Sequence, residues 1–391
     1  MKDLIWCEIS EKNLTHNIKS FRRLLDQHQL DSQRLSPQIS GGITLLLQTV
    51  KANAYGHGLV EASKIFLEAG VDWLGVNAVW EAEKLRVNKI TAPILVLGYT
   101  PLADLARVVK INISLTVYNL ETIKALGKLN RSVKIHIKVE TGTNRQGILS
   151  EDLPKFIKEI KRFPKIILEG ISTHFANIED TTEHSYARIQ IQNFQKIIEE
   201  IEYSGVRIPI KHCANSAAVI LWPAVYFNMA RVGISGYGMW PSEETFISTA
   251  MERREKIILK PALTWKTIVV QIKIIPLGAY VGYGCSFQTK RETKIAILPV
   301  GYYDGYDRKI SNLGHVLICG QKAPVIGRVC MNMIIVDITD ISKVKLEDEA
   351  VLLGKQKNNE ITTEEMAEWI GTINYEVTTR IRDGIVRKVV N

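Results

Sequence analysis

The chain has 391 residues, of which 46% are hydrophobic and 23% are charged, an ordinary balance for a globular protein. This length predicts about two domains, and no apolar run is long enough to cross a bilayer. The residues from Met1 to Asn13 lack the charged-then-apolar plan of a signal peptide. We therefore expect a cytoplasmic protein without a membrane partner.

The net charge of +9 comes from Lys and Arg residues that are spread along the whole chain. Scattering of this kind is typical of solvated helix surfaces and does not predict nucleic-acid binding, which favours a basic arm or stripe. The five cysteines are too widely spaced for a Cys-x-x-Cys metal site. We expect free or buried thiols in a reducing compartment and no metal.

The first 240 residues alternate between short apolar runs and amphipathic stretches. Helix-like segments cover 58–69, 80–88, 120–129, 153–162 and 183–204, and a short one covers 217–222. The segment 31–42, rich in Ser, Gln, Pro and Gly, is interpreted as a loop inserted before the first of the strands. The strand-like runs are eight in number: 44–52, 73–78, 93–99, 113–117, 134–140, 167–174, 210–216 and 230–235.

Eight strands that alternate with helices predict a parallel (β/α)8 barrel of the TIM type, assigned here to residues 12–241. After residue 241 the pattern changes to short apolar runs at 262–275, 294–299, 315–318, 323–326, 333–338 and 350–353, punctuated by Gly, Pro and Asp. One helical pattern stands out there, at 363–370. Residues 242–391 are therefore predicted to form a mainly β second domain.

Polar residues gather where the predicted barrel strands end, which is the end at which this fold carries out chemistry. On the fifth strand, His136, Lys138 and Glu140 alternate and so share one face. An internally paired, structural role is the better interpretation of His136. The other polar positions at these strand ends are Lys51, Arg145, His174, Asn215, Ser216, Arg231, Gly233 and Ile234.

Lys51 ends the first strand in a glycine-bounded loop, where a lysine has little structural purpose. A partly desolvated amine has a lowered pKa and can form a Schiff base with a carbonyl compound. Ser216 and the Gly233–Ile234 backbone follow strands seven and eight, where barrels commonly bind phosphate. A Schiff-base lysine and a phosphate site in one barrel mouth point to pyridoxal 5'-phosphate as the cofactor.

These motifs resemble those of the alanine racemase family over nearly the whole chain. The run Val50-Lys51-Ala52-Asn53-Ala54-Tyr55-Gly56-His57-Gly58 is similar to the family's cofactor-lysine signature. The other similar motifs follow in the family's order: 136–142, 145–147, 172–176, 215–217, 231–234, 237–238, 282–284, 301–306, 327–331 and 374–375. The resemblance implies a barrel, a β domain that also takes in residues 1–11, and a homodimer with shared active sites.

The resemblance also implies roles for individual residues. Lys51 and Tyr283 resemble the two catalytic bases, Tyr283 coming from the partner subunit, and Lys138 resembles a lysine that is often carbamylated. Arg145, at the cofactor's phenolic oxygen, and Met331 resemble substrate-binding residues, and Tyr302, Arg308 and Arg328 resemble residues of the substrate access path. The cofactor-binding set implied by the resemblance is Lys51, Tyr55, His174, Asn215, Ser216, Arg231, Gly233, Ile234 and Tyr375.

The sequence departs from the family's pattern at two places. Asn332 stands where Asp is usual after the methionine, and an amide can form hydrogen bonds but carries no charge. Glu140 stands where Asp is usual, and Thr143-Asn144 replace the common Met-Gly. The second departure changes the turn beside Lys138, the lysine that the resemblance implies is carbamylated.

Racemisation suits two bases, because a proton leaves one face of the α-carbon and another returns to the opposite face. Arg231 beside the pyridine nitrogen favours racemisation over transamination, since an Arg keeps its proton and leaves the ring nitrogen neutral. The main prediction is a racemase that interconverts L-alanine and D-alanine, with D-alanine as a peptidoglycan precursor or as a nutrient. The alternatives are a serine or broad-specificity racemase, a related decarboxylase, and a non-catalytic pyridoxal-phosphate carrier.

Overall fold

The computed structural model describes residues 3–35, 44–251 and 257–391. Their contacts divide the chain into two units. The barrel unit contains the described residues of Leu14–Ala52 and Ser63–Lys260. The C-terminal unit contains those of Met1–Asn13, Asn53–Ala62 and Pro261–Asn391.

The described residues up to Met251 form nine strands and ten α-helices, which alternate except that two helices follow the second strand. The strands are β1 (Ile5–Ser10), β2 (Leu45–Thr49), β3 (Trp73–Val76), β4 (Ile94–Val96), β5 (Ser114–Val117), β6 (Val133–Lys138), β7 (Ile166–Ser172), β8 (Ile210–His212) and β9 (Met229–Val232). The helices are α1 (Glu11–Leu35), α2 (Lys51–Tyr55), α3 (Leu59–Glu68), α4 (Val79–Val87), α5 (Leu105–Lys110), α6 (Leu120–Leu129), α7 (Leu153–Lys161), α8 (Ser185–Tyr203), α9 (Ser216–Leu221) and α10 (Glu243–Met251).

The barrel unit is built on one parallel sheet in the order β8-β7-β6-β5-β4-β3-β2-β9. The two end strands approach each other, because the Arg231 N–H donates to the Ala214 carbonyl at 3.1 Å. A layer of buried apolar side chains fills part of the interior: Leu47, Trp73, Leu95, Ile210 and Met229. The predicted (β/α)8 barrel and all eight of its predicted strands are confirmed.

The later elements form the mainly β C-terminal unit, as predicted. Their bounds are β10 (Leu263–Ile268), β11 (Gln271–Ile275), β12 (Thr293–Leu298), β13 (His315–Ile318), β14 (Gln321–Pro324), β15 (Ile334–Asp337), β16 (Glu349–Gln356), β17 (Asn359–Ile361), α11 (Thr363–Ile370), α12 (Asn374–Thr379) and β18 (Val386–Val390). One sheet has the order β14-β13-β16-β10-β1-β18, with β17 on β16, and a second has the order β11-β12-β15.

Three details differ from the sequence-based predictions. The prediction of a loop over 31–42 is wrong for residues 31–35, which belong to α1. No Pro or Gly interrupts that helix before Pro37. Residues 36–42 lie outside the described residues. The apolar run 262–275 forms two strands, β10 and β11, rather than one. Helix α10 groups with the barrel unit, so the contact boundary follows Lys260.

Within the described residues, no helix is both long and apolar enough to span a membrane.

Candidate active site

Lys51 comes two residues after the end of β2, and it is half-buried at the carboxyl end of the barrel. Burial lowers the pKa of the Lys51 amine, and the nearby Arg145 cation lowers it further, while Glu81 acts in the opposite direction. A neutral amine is the nucleophilic and basic form of lysine. The environment therefore increases the fraction of Lys51 that can attack a carbonyl or accept a proton.

The backbone after Lys51 is held in an uncommon conformation. Ala52, Asn53, Ala54 and Tyr55 all have φ between 51° and 54°, so α2 is a left-handed turn. Residues with a side chain rarely adopt this region, which costs about 1–2 kcal/mol per residue. A run of four such residues persists only where the surroundings hold it in place.

Glu81 supplies one such restraint within the barrel unit. This side chain on α4 is buried, and its carboxylate accepts hydrogen bonds from the backbone N–H groups of Ala52 at 2.8 Å, Asn77 at 2.6 Å and Ala78 at 3.0 Å. The carboxylate thus ties the residue after Lys51 to the loop after β3. Glu81 positions the lysine.

Lys138 is the last residue of β6, and burial followed by the Arg145 and Arg231 cations lowers its pKa to about 8. Glu140 lies past the end of this strand. Its carboxylate accepts from the backbone N–H groups of Gly142 at 2.6 Å and Arg145 at 3.3 Å. Glu140 therefore stabilises the 141–145 turn rather than sharing the inward face that the alternation predicts for it.

Arg231, on β9, is the most firmly held cation at the site. One terminal nitrogen, Nη1, contacts His212 Nδ1 at 2.8 Å and donates to the His212 carbonyl at 3.0 Å. The other, Nη2, donates to the Thr173 and Cys213 carbonyls, each at 3.0 Å, and lies 3.3 Å from His174 Nδ1. Burial lowers the pKa of Arg231 to about 10, so the side chain remains a cation near neutrality.

His174 follows β7 and lies against this guanidinium. Burial and then the Arg231 cation bring the pKa of His174 well below its usual value, so the ring is neutral and can accept from Arg231. The carbonyl of His174 accepts from Gln190 Nε2 at 3.1 Å and from the Thr143 hydroxyl. The 141–145 turn is thereby tied to the strand that carries His174.

The predicted phosphate-binding residues meet after β8 and β9. The Gly233 N–H donates to Ser216 Oγ at 2.9 Å, and Ile234 begins a short 3-10 turn directly after Gly233. Asn215 caps the N-terminus of α9, and its side-chain oxygen accepts from the Ala218 N–H at 3.0 Å. A hydroxyl and two successive backbone N–H groups at this place match the phosphate sites of barrel enzymes.

In the C-terminal unit, two further predicted cofactor contacts lie close together. The rings of Tyr55 and Tyr375 have their centroids 6.2 Å apart. Gly56, next in the chain, has φ of +85°, and a Cβ there would lie 2.1 Å from the Thr378 carbonyl oxygen. Only glycine fits this position, so the Tyr55 segment and α12 approach each other through their backbones.

Tyr283, also in the C-terminal unit, lies in a tight turn between Gly282 and Gly284, both with φ near +70°. Tyr283 is 72% exposed. The Arg328 guanidinium packs against this turn, since a Cβ on Gly284 would lie 2.8 Å from Arg328 Cζ.

Met331 and Tyr302 are joined through the backbone of the same unit. The Tyr302 N–H donates to the Cys330 carbonyl, and the Tyr303 N–H donates to the Met331 carbonyl, each at 3.0 Å. Met331 and Tyr302 are both exposed. Tyr302 and Arg308 also line a cavity of about 510 Å³, together with Tyr303, Gly305, Asp307 and Arg380.

The barrel mouth carries an excess of positive charge. The pKa of His174 is lowered by burial and then by all four cations of the mouth. The carboxylates beside them are Glu81 and Glu140, which accept hydrogen bonds from backbone N–H groups, and Glu179, whose pKa burial raises to about 7. The site is therefore suited to an anionic ligand. The four cations are Lys51, Lys138, Arg145 and Arg231.

Sequence reasoning missed Glu81, Glu179 and His212 at this site. Glu179 accepts from Asn215 Nδ2 at 2.7 Å, and burial followed by the Asp180 charge raises its pKa to about 7. A signal for His212 was present, because it lies in the predicted strand run 210–216, which ends in the predicted site residues Asn215 and Ser216. Glu81 gives no such signal, since a glutamate on an amphipathic helix is usually solvated.

Two family models match the chain. The model described as "Alanine racemase, N-terminal domain" matches residues 9–241. The model described as "Alanine racemase, C-terminal domain" matches residues 262–389.

Proteins similar over their full length carry the same description. The alanine racemase of Methanococcus maripaludis is 40% identical over 388 residues, covering 98% of each chain. A crystal structure of alanine racemase from Bacillus anthracis with bound L-Ala-P has a TM-score of 0.88 at 32% identity, covering 100% of this chain and 96% of that one. Alanine racemase from Clostridium difficile has a TM-score of 0.89 at 33% identity, with the same coverage.

Proposed function

This chain belongs to the alanine racemase family, and we propose that it interconverts L-alanine and D-alanine with pyridoxal 5'-phosphate as its cofactor. The observation that carries the proposal is the half-buried Lys51 amine among three further cations in the barrel mouth. This arrangement combines a lysine of lowered pKa with the positive charge that an anionic cofactor requires.

The residues of the mouth fit the cofactor. The Ser216 hydroxyl and the N–H groups of Gly233 and Ile234 would bind the phosphate. The family resemblance assigns two further phosphate ligands, Tyr55 and Tyr375. Lys51 would hold the cofactor covalently, Arg231 would face the ring nitrogen, and Arg145 would face the phenolic oxygen. When bound, pyridoxal phosphate withdraws electron density from the substrate's α-carbon and so makes the α-proton removable.

Lys51 acts as the base on one face of the substrate. Burial and the neighbouring cations favour its neutral form, in which Nζ can accept the α-proton and later return one. Glu81 fixes the backbone beside Lys51, so the amine stays aligned with that face. One group serves one face only, so inversion requires a second base on the other face.

We assign the second base to Tyr283 of the partner subunit in a homodimer. The phenol in each chain is highly exposed and set between two glycines with positive φ, which suits a group presented to another subunit. Met331 of the partner subunit would contact the substrate carboxylate. Arg308, Arg328 and Tyr302 would line the path by which the amino acid arrives.

Lys138 is proposed to carry a carbamate. Its pKa of about 8 leaves an appreciable neutral fraction near neutrality, and only the neutral amine adds to CO2, with loss of one proton. The resulting negative charge would be balanced by Arg145 and Arg231. The carbamate would hold the Arg145 side chain toward the cofactor's phenolic oxygen.

The test is exchange of the α-proton. The purified protein with pyridoxal phosphate is incubated in D2O with L-alanine and, separately, with L-serine, and deuterium uptake and D-isomer formation are followed together. Uptake coupled to inversion, faster with alanine, is the expected result. Faster turnover of serine would identify serine, rather than alanine, as the preferred substrate. Absence of exchange despite bound cofactor would indicate a non-catalytic carrier and overturn the proposal.

A further inference from the structure

A chain of buried hydrogen bonds runs from Arg231 away from the barrel mouth. Arg231 Nη1 lies 2.8 Å from His212 Nδ1, and His212 Nε2 lies 2.9 Å from His136 Nδ1. His136 Nε2 in turn lies 3.3 Å from Glu169 Oε2. All four residues are buried, on β9, β8, β6 and β7 respectively, so the chain crosses the barrel interior.

The groups at the two ends of this hydrogen-bond chain fix which atom donates and which accepts at every step. An arginine can only donate, so His212 Nδ1 must accept and the His212 proton resides on Nε2. That proton is donated to His136 Nδ1, which leaves the His136 proton on Nε2, facing the Glu169 carboxylate. In the opposite arrangement, a proton on His212 Nδ1 would face the Arg231 N–H, and that hydrogen bond would be lost.

The carboxylate end of the chain is ionised and the two rings are neutral. Burial opposes ionisation of Glu169, but hydrogen bonds from His136, Lys134 and Ser114 outweigh it and lower its pKa to about 2. Burial lowers the pKa of His136, with partial opposition from Glu169. Burial and then Arg231 bring the pKa of His212 well below its usual value.

The backbone of β7 is adapted to this chain. The pairing of β6 with β7 shifts between Ile135 and His136, whose partners are Leu168 and Gly170, so Glu169 is the extra residue of a β-bulge. Gly170 has no side chain where the imidazole passes, since a Cβ would lie 2.4 Å from His136 Nδ1. The Trp73 ring meets His136 edge to face at 5.7 Å.

We propose that Glu169 is a positioning residue for Arg231, and that its carboxylate acts through His136 and His212 to fix the ring tautomers on which the orientation of the guanidinium depends. Its consequence for catalysis rests on the proposed function, because Arg231 acts there beside the cofactor's ring nitrogen. The tautomers themselves are a property of the protein alone. If Glu169 had a purely structural role, its replacement in a folded protein would leave the preferred proton position on His212 unchanged.

The test measures where the histidine protons reside. The full chain with bound pyridoxal phosphate is labelled with 15N-histidine and studied by solid-state NMR, with signals assigned from variants that each lack one histidine. In the unsubstituted protein, His136 and His212 are both expected to carry their proton on Nε2. A proton on His212 Nδ1 there overturns the proposal without any variant.

Two substitutions of Glu169 separate its acceptor from its charge. Glu169→Leu removes the acceptor, and we expect the preference of His212 for the Nε2 tautomer to fall about tenfold or more, the factor of one charge-assisted hydrogen bond. Glu169→Gln retains an acceptor oxygen and should largely restore the preference. Lys134→Gln is the control. Lys134 Nζ contacts the same carboxylate at 2.8 Å, but this half-exposed side chain is not one of the four residues that form the hydrogen-bond chain.

The reaction supplies the second readout. With L-alanine, Glu169→Leu should raise the fraction of turnovers that end in transamination, and Lys134→Gln should not. Unchanged histidine tautomers in a folded Glu169→Leu protein overturn the proposal. Altered tautomers in an active Glu169→Leu enzyme also overturn it if the fraction of turnovers that end in transamination is unchanged. If the unsubstituted protein does not racemise alanine, the proposed function fails, and the tautomers alone then decide the role of Glu169.

Discussion

Replacement of Glu81 by alanine should destabilise the barrel unit and disturb Lys51. The substitution leaves three part-buried backbone donors, at Ala52, Asn77 and Ala78, without their acceptor. An unsatisfied buried donor costs about 1–3 kcal/mol, so three fully buried donors would cost about 3–9 kcal/mol, which is an upper bound for these part-buried ones. Water that enters the vacated space reduces this cost, and we expect a loss of about 3 kcal/mol or more in the free energy of unfolding, against about 5–15 kcal/mol for a whole domain.

Urea unfolding followed by circular dichroism measures this loss, and the absorbance of the bound cofactor reports on Lys51. Glu81→Gln keeps one acceptor oxygen and should lose less, about 1–2 kcal/mol. Glu83→Ala on the same helix removes an ion pair with the exposed Arg107 and should unfold near the original midpoint. The argument that Glu81 holds the lysine would be refuted if the Glu81→Ala protein unfolded at the same urea concentration as the Glu83→Ala protein and bound the cofactor normally.

Four further predictions follow from single groups. Gly170→Ala places a Cβ 2.4 Å from His136 Nδ1, so urea unfolding should show a loss of about 1–3 kcal/mol from overpacking. Burial raises the pKa of Glu179 to about 7, so its stabilising contribution is full below about pH 4.5 and is lost as pH rises through 7. The melting temperature of Glu179→Gln should therefore rise relative to that of the unsubstituted protein as pH increases from about 4.5 through 7. A difference in melting temperature that stays constant over this range would contradict the pKa shift. Lys138 should give a carbamate signal in 13C NMR with 13CO2 that grows as pH rises through 8 and is absent in Lys138→Ala, and a signal that falls over this range would contradict the assignment. Arg231→Glu should convert more L-alanine to pyruvate by transamination, measured per racemisation turnover, and an unchanged ratio would refute the role of the arginine.

The barrel was predictable from the sequence because each strand is a short apolar run between polar segments, a local property of the chain. The edge of the C-terminal sheet was not predictable in this way. Strand β1 lies between β10 and β18, which are more than 250 residues away along the chain, and β18 carries only five residues of mixed polarity. Pairings at that distance depend on tertiary packing, which overrides local propensity.

The residues of the candidate site likewise fall into those that local sequence patterns predict and those that depend on tertiary structure. Lys51, Arg231 and Ser216 stand out because polar residues at strand ends have few structural uses. Glu169 does not stand out, because its inward placement depends on a one-residue bulge in the register of β7, and a register shift leaves no mark in the hydrophobic pattern of a buried strand. His136 was correctly interpreted as internally paired, and the structure adds the identity of its partners.

The central claim is that each active site combines Lys51 of one subunit with Tyr283 of the partner subunit, and mixed dimers test it most directly. Lys51→Ala and Tyr283→Phe proteins, each inactive alone, are mixed, dissociated and reassociated, and alanine racemisation is measured. Random pairing gives one intact site in half of the dimers, so we expect up to about a quarter of the original activity. A mixture that remains as inactive as its components would contradict the account, because it would place Lys51 and Tyr283 of each active site in one subunit.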